Sequence, residues 1–221
     1  MITKNFGSCI GSKFNPDGTF RPFCGNTIIS SLSDVPINTE ISRLQKRLLE
    51  GKRGQYLIPL PPESFHMTLF EGVCDQVRDI DHWSSLFPLD APLANVNERL
   101  YKEYLKAPEF PAITMQLTDL RIDGAVSIHV VPVSQREERA IHLYRLAFSS
   151  LLGIRFPNHD AYTFHIGLAY GKKRAEADDD LFEIFQQEVE ETLQKKPIRF
   201  TVPLPSFCTF CDMSHFQPFG G

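Results

Sequence analysis

Two histidines stand in closely similar contexts in this chain of 221 residues. The segment around His66 reads Ser-Phe-His-Met-Thr-Leu-Phe-Glu-Gly, and the segment around His165, 99 residues later, reads Thr-Phe-His-Ile-Gly-Leu-Ala-Tyr-Gly. Imidazole titrates near neutral pH, so one neutral and one protonated histidine can act as general base and general acid on the same substrate. The pattern therefore predicts that His66 and His165 form a catalytic pair facing one cleft.

The elements that must position this pair follow the same repeat. Gly25 corresponds to Gly124 and Ile29 to Ile128 at the same offset. Hydrophobic periodicity predicts the order β-α-β-α-β in each half. In the first half, strands are predicted at 26–32, around His66 and at 113–121, and helices from about 40 and at 94–106. In the second half, strands are predicted at 125–133, around His165, at 198–202 and at 207–211, and helices at 135–152 and about 178–194. We predict an α+β fold of two pseudo-symmetric lobes, with mainly antiparallel sheets flanking a central cleft and helices outside.

The domain organisation follows from the same repeat. We expect a single bilobal domain over residues 1–221, with a first lobe at 23–121 and a second lobe at 122–221. Residues 1–22 fit neither half and are predicted to be an N-terminal extension laid over the surface.

Strand alternation places each histidine on a polar face. Phe65, Met67 and Leu69 share one face of the first strand, and His66 and Thr68 share the other. The second strand repeats the pattern, with Thr163 and Gly167 beside His165 and large apolar residues opposite. A lone histidine would be interpreted as a structural residue. Two histidines in matching contexts are instead predicted to line the floor of a groove.

The duplicated motif resembles the two-histidine (2H) phosphoesterase superfamily, which includes 2′,5′-RNA ligase-like proteins and cyclic phosphodiesterases. Its hallmark is a pair of His-x-Thr/Ser motifs on strands of two pseudo-symmetric lobes. His66-Met67-Thr68 matches fully, whereas His165-Ile166-Gly167 matches only in its histidine, so the second motif is degenerate. The resemblance covers the chain from about Phe23 onwards. It implies a metal-independent phosphodiesterase without a cofactor, acting on a cyclic phosphate or on a 2′-linked nucleotide or RNA end.

Under this resemblance, the hydroxyl of Thr68 binds a phosphate oxygen, and Gly167 lacks the matching hydroxyl. Candidates to replace it are Thr163 on the same strand face, Tyr170, Lys172 or a backbone N–H at Gly167, and glycine would also make room for a bulkier substrate. Two alternatives stay open: a catalytically degenerate module that binds a nucleotide or RNA end, and a hydrolase of a non-nucleotide phosphoester.

Three further residues are candidates for lining the cleft. His129 corresponds to Ser30 at the repeat offset and shares a strand face with Ser127, although a structural role is the alternative. Tyr56 and Tyr170 flank the predicted cleft strands. Packing in the core is the alternative for each aromatic residue.

The net charge and the apolar segments of the chain limit the kinds of partner that we expect. A formal net charge of −4 argues against a protein that holds a long nucleic acid tract, which requires a basic surface. We therefore expect a small nucleotide or an RNA end as substrate, and a monomer. No segment is apolar enough for a signal peptide or a membrane span, so no membrane partner is expected.

Cysteine usage gives a second expectation. Five cysteines without the spacing of a disulfide framework fit a reducing cytoplasm. Cys208 and Cys211, followed by His215, have the spacing of half a zinc site, but a structural zinc site needs four ligands and no second pair of this kind follows. We predict no metal site.

Overall fold

Nine strands and four α-helices make up the parts of the chain that the computed structural model describes, residues 6–172 and 179–220. Residues 1–5 of the predicted extension lie outside them, as does the predicted start of the last helix at 178. The strands are β1 (Gly25–Ser31), β2 (Leu57–Pro59), β3 (His66–Cys74), β4 (Thr114–Asp123), β5 (Ala125–Pro132), β6 (His165–Gly171), β7 (Arg199–Thr201), β8 (Ser206–Phe210) and β9 (Gln217–Pro218). The helices are α1 (Ile37–Leu48), α2 (Leu93–Tyr104), α3 (Gln135–Leu152) and α4 (Asp179–Lys195).

Helix α3 shows how closely local sequence defines an element. It occupies the predicted residues because Ser134 caps its first turn, accepting a hydrogen bond from the backbone N–H of Glu137 at 3.3 Å, and Gly153 ends it at a positive φ of 60°. Helix α1 instead begins at Ile37, about three residues before the predicted start, without a side-chain cap.

All nine strands form one antiparallel sheet in the order β7-β4-β5-β6-β3-β1-β8-β9, with β2 paired to β6. The predicted α+β class with mainly antiparallel strands is confirmed. The strands of the two predicted lobes join in a single sheet, because the two histidine strands β3 and β6 are hydrogen-bonded to each other through the pair Met67–Ile166.

One half of this sheet is β7-β4-β5-β6 and the other is β3-β1-β8-β9. Each half contains a strand that comes from the other repeat in sequence. Strand β4 belongs to the first repeat in sequence but pairs with β5 and β7 of the second. Strand β8 belongs to the second repeat but pairs with β1 of the first. The repeat boundary near residue 122 therefore divides the sequence and not the sheet.

The predicted apolar strand faces form the core. Phe65, Met67 and Leu69 on the first histidine strand and Ile166 and Leu168 on the second are all at most 1% exposed. They pack in one cluster with apolar residues of all four helices. Burial of side chains of this size stabilises the fold by about 1.5–3 kcal/mol each.

Two β-bulges at corresponding positions break the simple alternation. Leu69 is the extra residue of β3 opposite β1, and Leu168, 99 residues later, is the extra residue of β6 opposite β5. Each bulge buries the next residue, Phe70 or Ala169, and turns the one after it towards the polar face. Regular alternation from His66 and His165 predicts that Phe70 and Ala169 lie on the face of the histidines, and the burial of both shows that this prediction is wrong.

The N-terminal segment, residues 6–23, packs into the fold and does not simply lie over its surface. Phe14 is completely buried, in a small cluster with Ile58 of β2 and Met213. Because β2 pairs with β6 while Met213 follows β8, the segment connects the two halves of the sheet. No helix in the described stretches is long and apolar enough to cross a membrane.

Candidate active site

A cleft of about 360 Å³ lies over the two histidine strands. His66 and Thr68 of β3 line it together with His165 and Gly167 of β6 and with Tyr170. The structure therefore brings together both predicted catalytic residues, two of the three predicted phosphate-binding positions and one of the three candidates for lining the cleft. We call this the central cleft.

The pair Met67–Ile166 fixes the relative positions of the histidines. Continuing this antiparallel register by one residue on each side places Thr68 opposite His165, and Gly167 opposite His66. The two histidines are then diagonal neighbours on one face, a relationship that in a regular ladder separates two residues by about 7–8 Å.

The two imidazoles are oriented by equivalent hydrogen bonds. Nδ1 of His66 bonds the carbonyl of Ser64 at 2.7 Å, and Nδ1 of His165 bonds the carbonyl of Thr163 at 3.1 Å. A carbonyl can only accept, so Nδ1 carries the proton in both rings. Nε2 is left as the atom that accepts or donates a proton in the cleft.

Burial distinguishes His66 from an exposed histidine. It lowers the pKa of His66 from 6.5 to about 4; the Ser64 carbonyl acts in the opposite direction, and nearby His165 adds to the lowering. The ring also packs on Phe216, with centroids 4.3 Å apart. His66 is consequently neutral at pH 7, the form that a general base requires.

Buried polar side chains bond the backbone of both histidine strands near the Met67–Ile166 pair. Arg145 of α3 donates to the carbonyl of Leu69 at 2.5 Å. Gln45 of α1 donates to the carbonyl of Leu168 at 2.8 Å. Each helix thus binds the bulged residue of the other repeat, and these contacts support the strands that carry the histidines.

The family model described as 2H-phosphodiest, a domain of unknown function (DUF1868), matches residues 13–126, just over half of the chain. The chain belongs to this 2H-phosphodiesterase family. The match includes His66 and Thr68, and it ends before His165.

Solved structures share the fold of this family member. The conserved protein of unknown function ATU0111 from Agrobacterium tumefaciens str. C58 is 28% identical with a TM-score of 0.89, over 98% of this chain and 93% of that one. TT0787 of Thermus thermophilus is 14% identical with a TM-score of 0.50, over 83% and 87% of the two chains. A structure described as a phosphoesterase is also 14% identical at 0.50, over 90% and 96%.

The match to one curated relative covers a shorter part of the chain. The uncharacterized protein 127L of Invertebrate iridescent virus 6 is 30% identical over 76 residues, which are 33% of this chain and 32% of the viral protein. The matched part of this chain thus spans about a third of the length of that relative.

Gly167 is the position at which this chain departs from the expected pair of His-x-Thr/Ser motifs. A Cβ built at Gly167 would lie 3.2 Å from Cδ1 of Leu60, so an apolar side chain borders the position where the second hydroxyl would stand. Thr163 does not line the central cleft: it is exposed and lines a side groove next to it, and its carbonyl orients His165.

The other proposed substitutes for this hydroxyl have other contacts. The hydroxyl of Tyr170 lies 3.6 Å from Sδ of Met213, although its side chain lines the central cleft. Lys172 lies against Gly18 of the N-terminal segment and is not among the residues lining the cleft.

His129 and Tyr56 lie outside the central cleft. His129 pairs with His165 across β5 and β6, with ring centroids 6.1 Å apart, and lines the side groove. Burial lowers the pKa of His129. Tyr56 packs against the main core, and its carbonyl accepts a hydrogen bond from the backbone N–H of Lys172.

Sequence reasoning did not identify several polar residues of the central cleft, among them Glu71, Lys13 and His82. Glu71 is turned into it by the bulge at Leu69; burial raises the pKa of this carboxyl, and Arg145 and His165 act in the opposite direction. Lys13 enters from the N-terminal segment, and His82 lines the wall, its Nδ1 2.8 Å from Asp79. A bulge and a remote segment leave no local pattern that would have identified the first two.

The cysteine pair near the C-terminus has different surroundings for its two thiols. Cys208 is buried, which raises the pKa of its thiol to about 11, whereas Cys211 is exposed. Within residues 6–172 and 179–220, no group of three or more histidine, cysteine, aspartate or glutamate side chains is placed to hold a metal ion.

Proposed function

We propose that this protein is a phosphodiesterase in which His66 and His165 act as general base and general acid on a cyclic phosphate or on a 2′-linked nucleotide or RNA end. The observation that carries the proposal is the pairing of Met67 with Ile166, which puts both imidazoles on one face of adjacent strands within one cleft. Family membership supports the same class of reaction.

The lowered pKa of buried His66 supports a division of roles, with His66 as the base. Nε2 of neutral His66 takes a proton from the attacking water, whose oxygen bonds to phosphorus. Nε2 of protonated His165 gives a proton to the leaving ribose oxygen as its bond to phosphorus breaks. One water is consumed, a cyclic phosphodiester becomes a phosphomonoester, and the two histidines exchange protonation states.

Thr68 is the proposed donor to the phosphate. The register places its side chain opposite His165 on the cleft face of β3, where its hydroxyl can bond a non-bridging oxygen as negative charge develops. Gly167 supplies no second hydroxyl, so we propose that it leaves space in the cleft beside Leu60.

The test is a panel assay of the full chain with 2′,3′-cyclic nucleotides, 2′,5′-linked oligoadenylate and cyclic dinucleotides, each with and without EDTA. We expect turnover of at least one of the first two classes, unchanged by EDTA. The His66→Ala variant serves as the control for contaminating activity. Absence of turnover across the panel, or turnover that EDTA abolishes and a divalent ion restores, would contradict the proposal.

A further inference from the structure

The N-terminal segment brings a cation into the central cleft. Lys13 is followed by the fully buried Phe14, which anchors this part of the chain between the two halves of the sheet. The backbone N–H of Lys13 donates to the carbonyl of Cys9 at 2.9 Å, in a turn that fixes the chain next to Phe14. Among the described residues that line the central cleft, Lys13 alone carries a lysine or arginine side chain.

Aromatic rings hold the ammonium group of Lys13 in place. Nζ lies 4.9 Å from the ring centroid of Phe23 and 5.4 Å from that of Tyr170, the range of cation–π interactions. Within residues 6–172 and 179–220, no carboxylate forms an ion pair with it. A partly buried cation that is held by rings, and that forms no ion pair with a carboxylate in these described stretches, attracts an anion.

Lys13 is placed at the end of the cleft away from His66. Phe23 precedes the end of β1 at which Gly25 pairs with Cys74, whereas His66 pairs with Ser31 at the opposite end. Burial raises the pKa of the Cys74 thiol, and the nearby charge of Lys13 acts in the opposite direction, which places Lys13 near Cys74. An anion bound to Lys13 would therefore be distinct from a phosphate bound between the histidines.

We propose that Lys13 binds a second phosphate of the substrate, so that the preferred substrate is a nucleotide or oligonucleotide end carrying a phosphate in addition to the scissile phosphodiester. This inference rests on the proposed function and specifies its substrate class. A cleft of about 360 Å³ is within the size range of small-molecule sites.

The experiment compares two substrates that differ by one phosphate. These are a nucleoside 2′,3′-cyclic phosphate with a free 5′-hydroxyl and the same compound with a 5′-phosphate. We expect kcat/KM to be about 10- to 100-fold higher for the second, as for a charge-assisted hydrogen bond. Lys13→Met abolishes this preference, and Lys13→Arg retains most of it.

The matched control is Lys46→Met, which removes the same charge from an exposed position on α1. It is expected to leave the preference unchanged. Circular dichroism verifies that each variant is folded, and a loss of preference in both variants would indicate a general effect of net charge and overturn the assignment to Lys13.

A binding measurement separates this inference from the proposed function. Calorimetry compares adenosine 3′,5′-bisphosphate with adenosine 3′-monophosphate on the wild type and on Lys13→Met. Tighter binding of the bisphosphate that depends on Lys13, without turnover of any substrate, would retain the anion site and reject the phosphodiesterase. Turnover without discrimination, and equal affinities in both proteins, would reject the anion site alone.

Discussion

Met67 of β3 pairs with Ile166 of β6, and each follows one of the two cleft histidines directly in the chain. Both paired side chains are fully buried, so the junction between the halves of the sheet is anchored in the core. His66 and His165 consequently project from the opposite face of this junction. Their spacing is determined by a buried hydrophobic contact and not by a flexible loop.

Replacement of either histidine is expected to abolish most of the activity. His66→Ala and His165→Ala should each lower the rate about 10²–10⁴-fold, the usual contribution of a positioned acid or base. The measurement is turnover of the best substrate in the panel, with folding verified by circular dichroism. Wild-type rates in both folded variants would show that the chemistry lies elsewhere.

Thr68 and Thr163 should respond differently to the same change. Thr68→Ala removes a hydroxyl from the central cleft and should lower kcat about 10²-fold, as for the loss of a preorganised donor. Thr163→Ala keeps the carbonyl that bonds His165 and should have little effect. Equal losses of kcat would indicate that the Thr163 hydroxyl also reaches the substrate.

Activity should follow a bell-shaped pH profile. His66 has a pKa of about 4 in the free protein, so kcat/KM should fall as the pH is lowered towards 4 and His66 takes up a proton. At high pH the rate falls because the general acid loses its proton, and both limbs belong to the coupled pair. A single acidic limb with a plateau up to high pH would argue against acid catalysis by histidine.

The low pKa of His66 should also make stability depend on pH. Below pH 6.5 the unfolded chain binds a proton at this position, whereas the folded chain does not until about pH 4. Stability is therefore lost as the pH falls through this window, by about 2 kcal/mol between pH 7 and pH 5.

Urea unfolding at the two pH values tests this contribution. His66→Gln should lose about 2 kcal/mol less than the wild type on acidification. The exposed His142→Gln is the control and should behave as the wild type does. Identical pH dependence in all three proteins would show that His66 is not perturbed by burial.

Gln45 should be important for stability although it is far from the chemistry in sequence. Its amide donates to the carbonyls of Leu60 at 2.7 Å and Leu168 at 2.8 Å within the core. Gln45→Met leaves the Leu60 carbonyl unsatisfied and should lower the free energy of unfolding by about 1–3 kcal/mol. The exposed Gln55→Met is the matched control, and similar losses in both variants would contradict this role.

Much of the fold follows from the sequence because its signals are local. Hydrophobic periodicity and the cap residues Ser134 and Gly153 define α3 at its observed ends. Asp123-Gly124 predicts the tight turn between β4 and β5, where Gly124 has a φ of 66°. The repeated histidine segments indicate two equivalent strands, since both share one pattern of apolar and polar faces.

Tertiary structure alone decided how these elements combine. The pairing of β8 with β1 and of β4 with β5 exchanges strands between the repeats, and such long-range hydrogen bonds are not encoded in any short segment. The bulges at Leu69 and Leu168 reverse the alternation that the sequence predicts, which buries Phe70 and turns Glu71 into the cleft.

Some residues of the candidate site could be identified from the sequence, and others only from the folded structure. The residue types and the 99-residue offset by themselves determined that His66, Thr68 and His165 form a set, because chemistry and strand alternation are properties of the chain. That Lys13 joins them was decided by the burial of Phe14 between the two halves of the sheet. Hydrophobic packing brings a segment over the cleft wherever apolar surface is available, and only the folded protein has that surface.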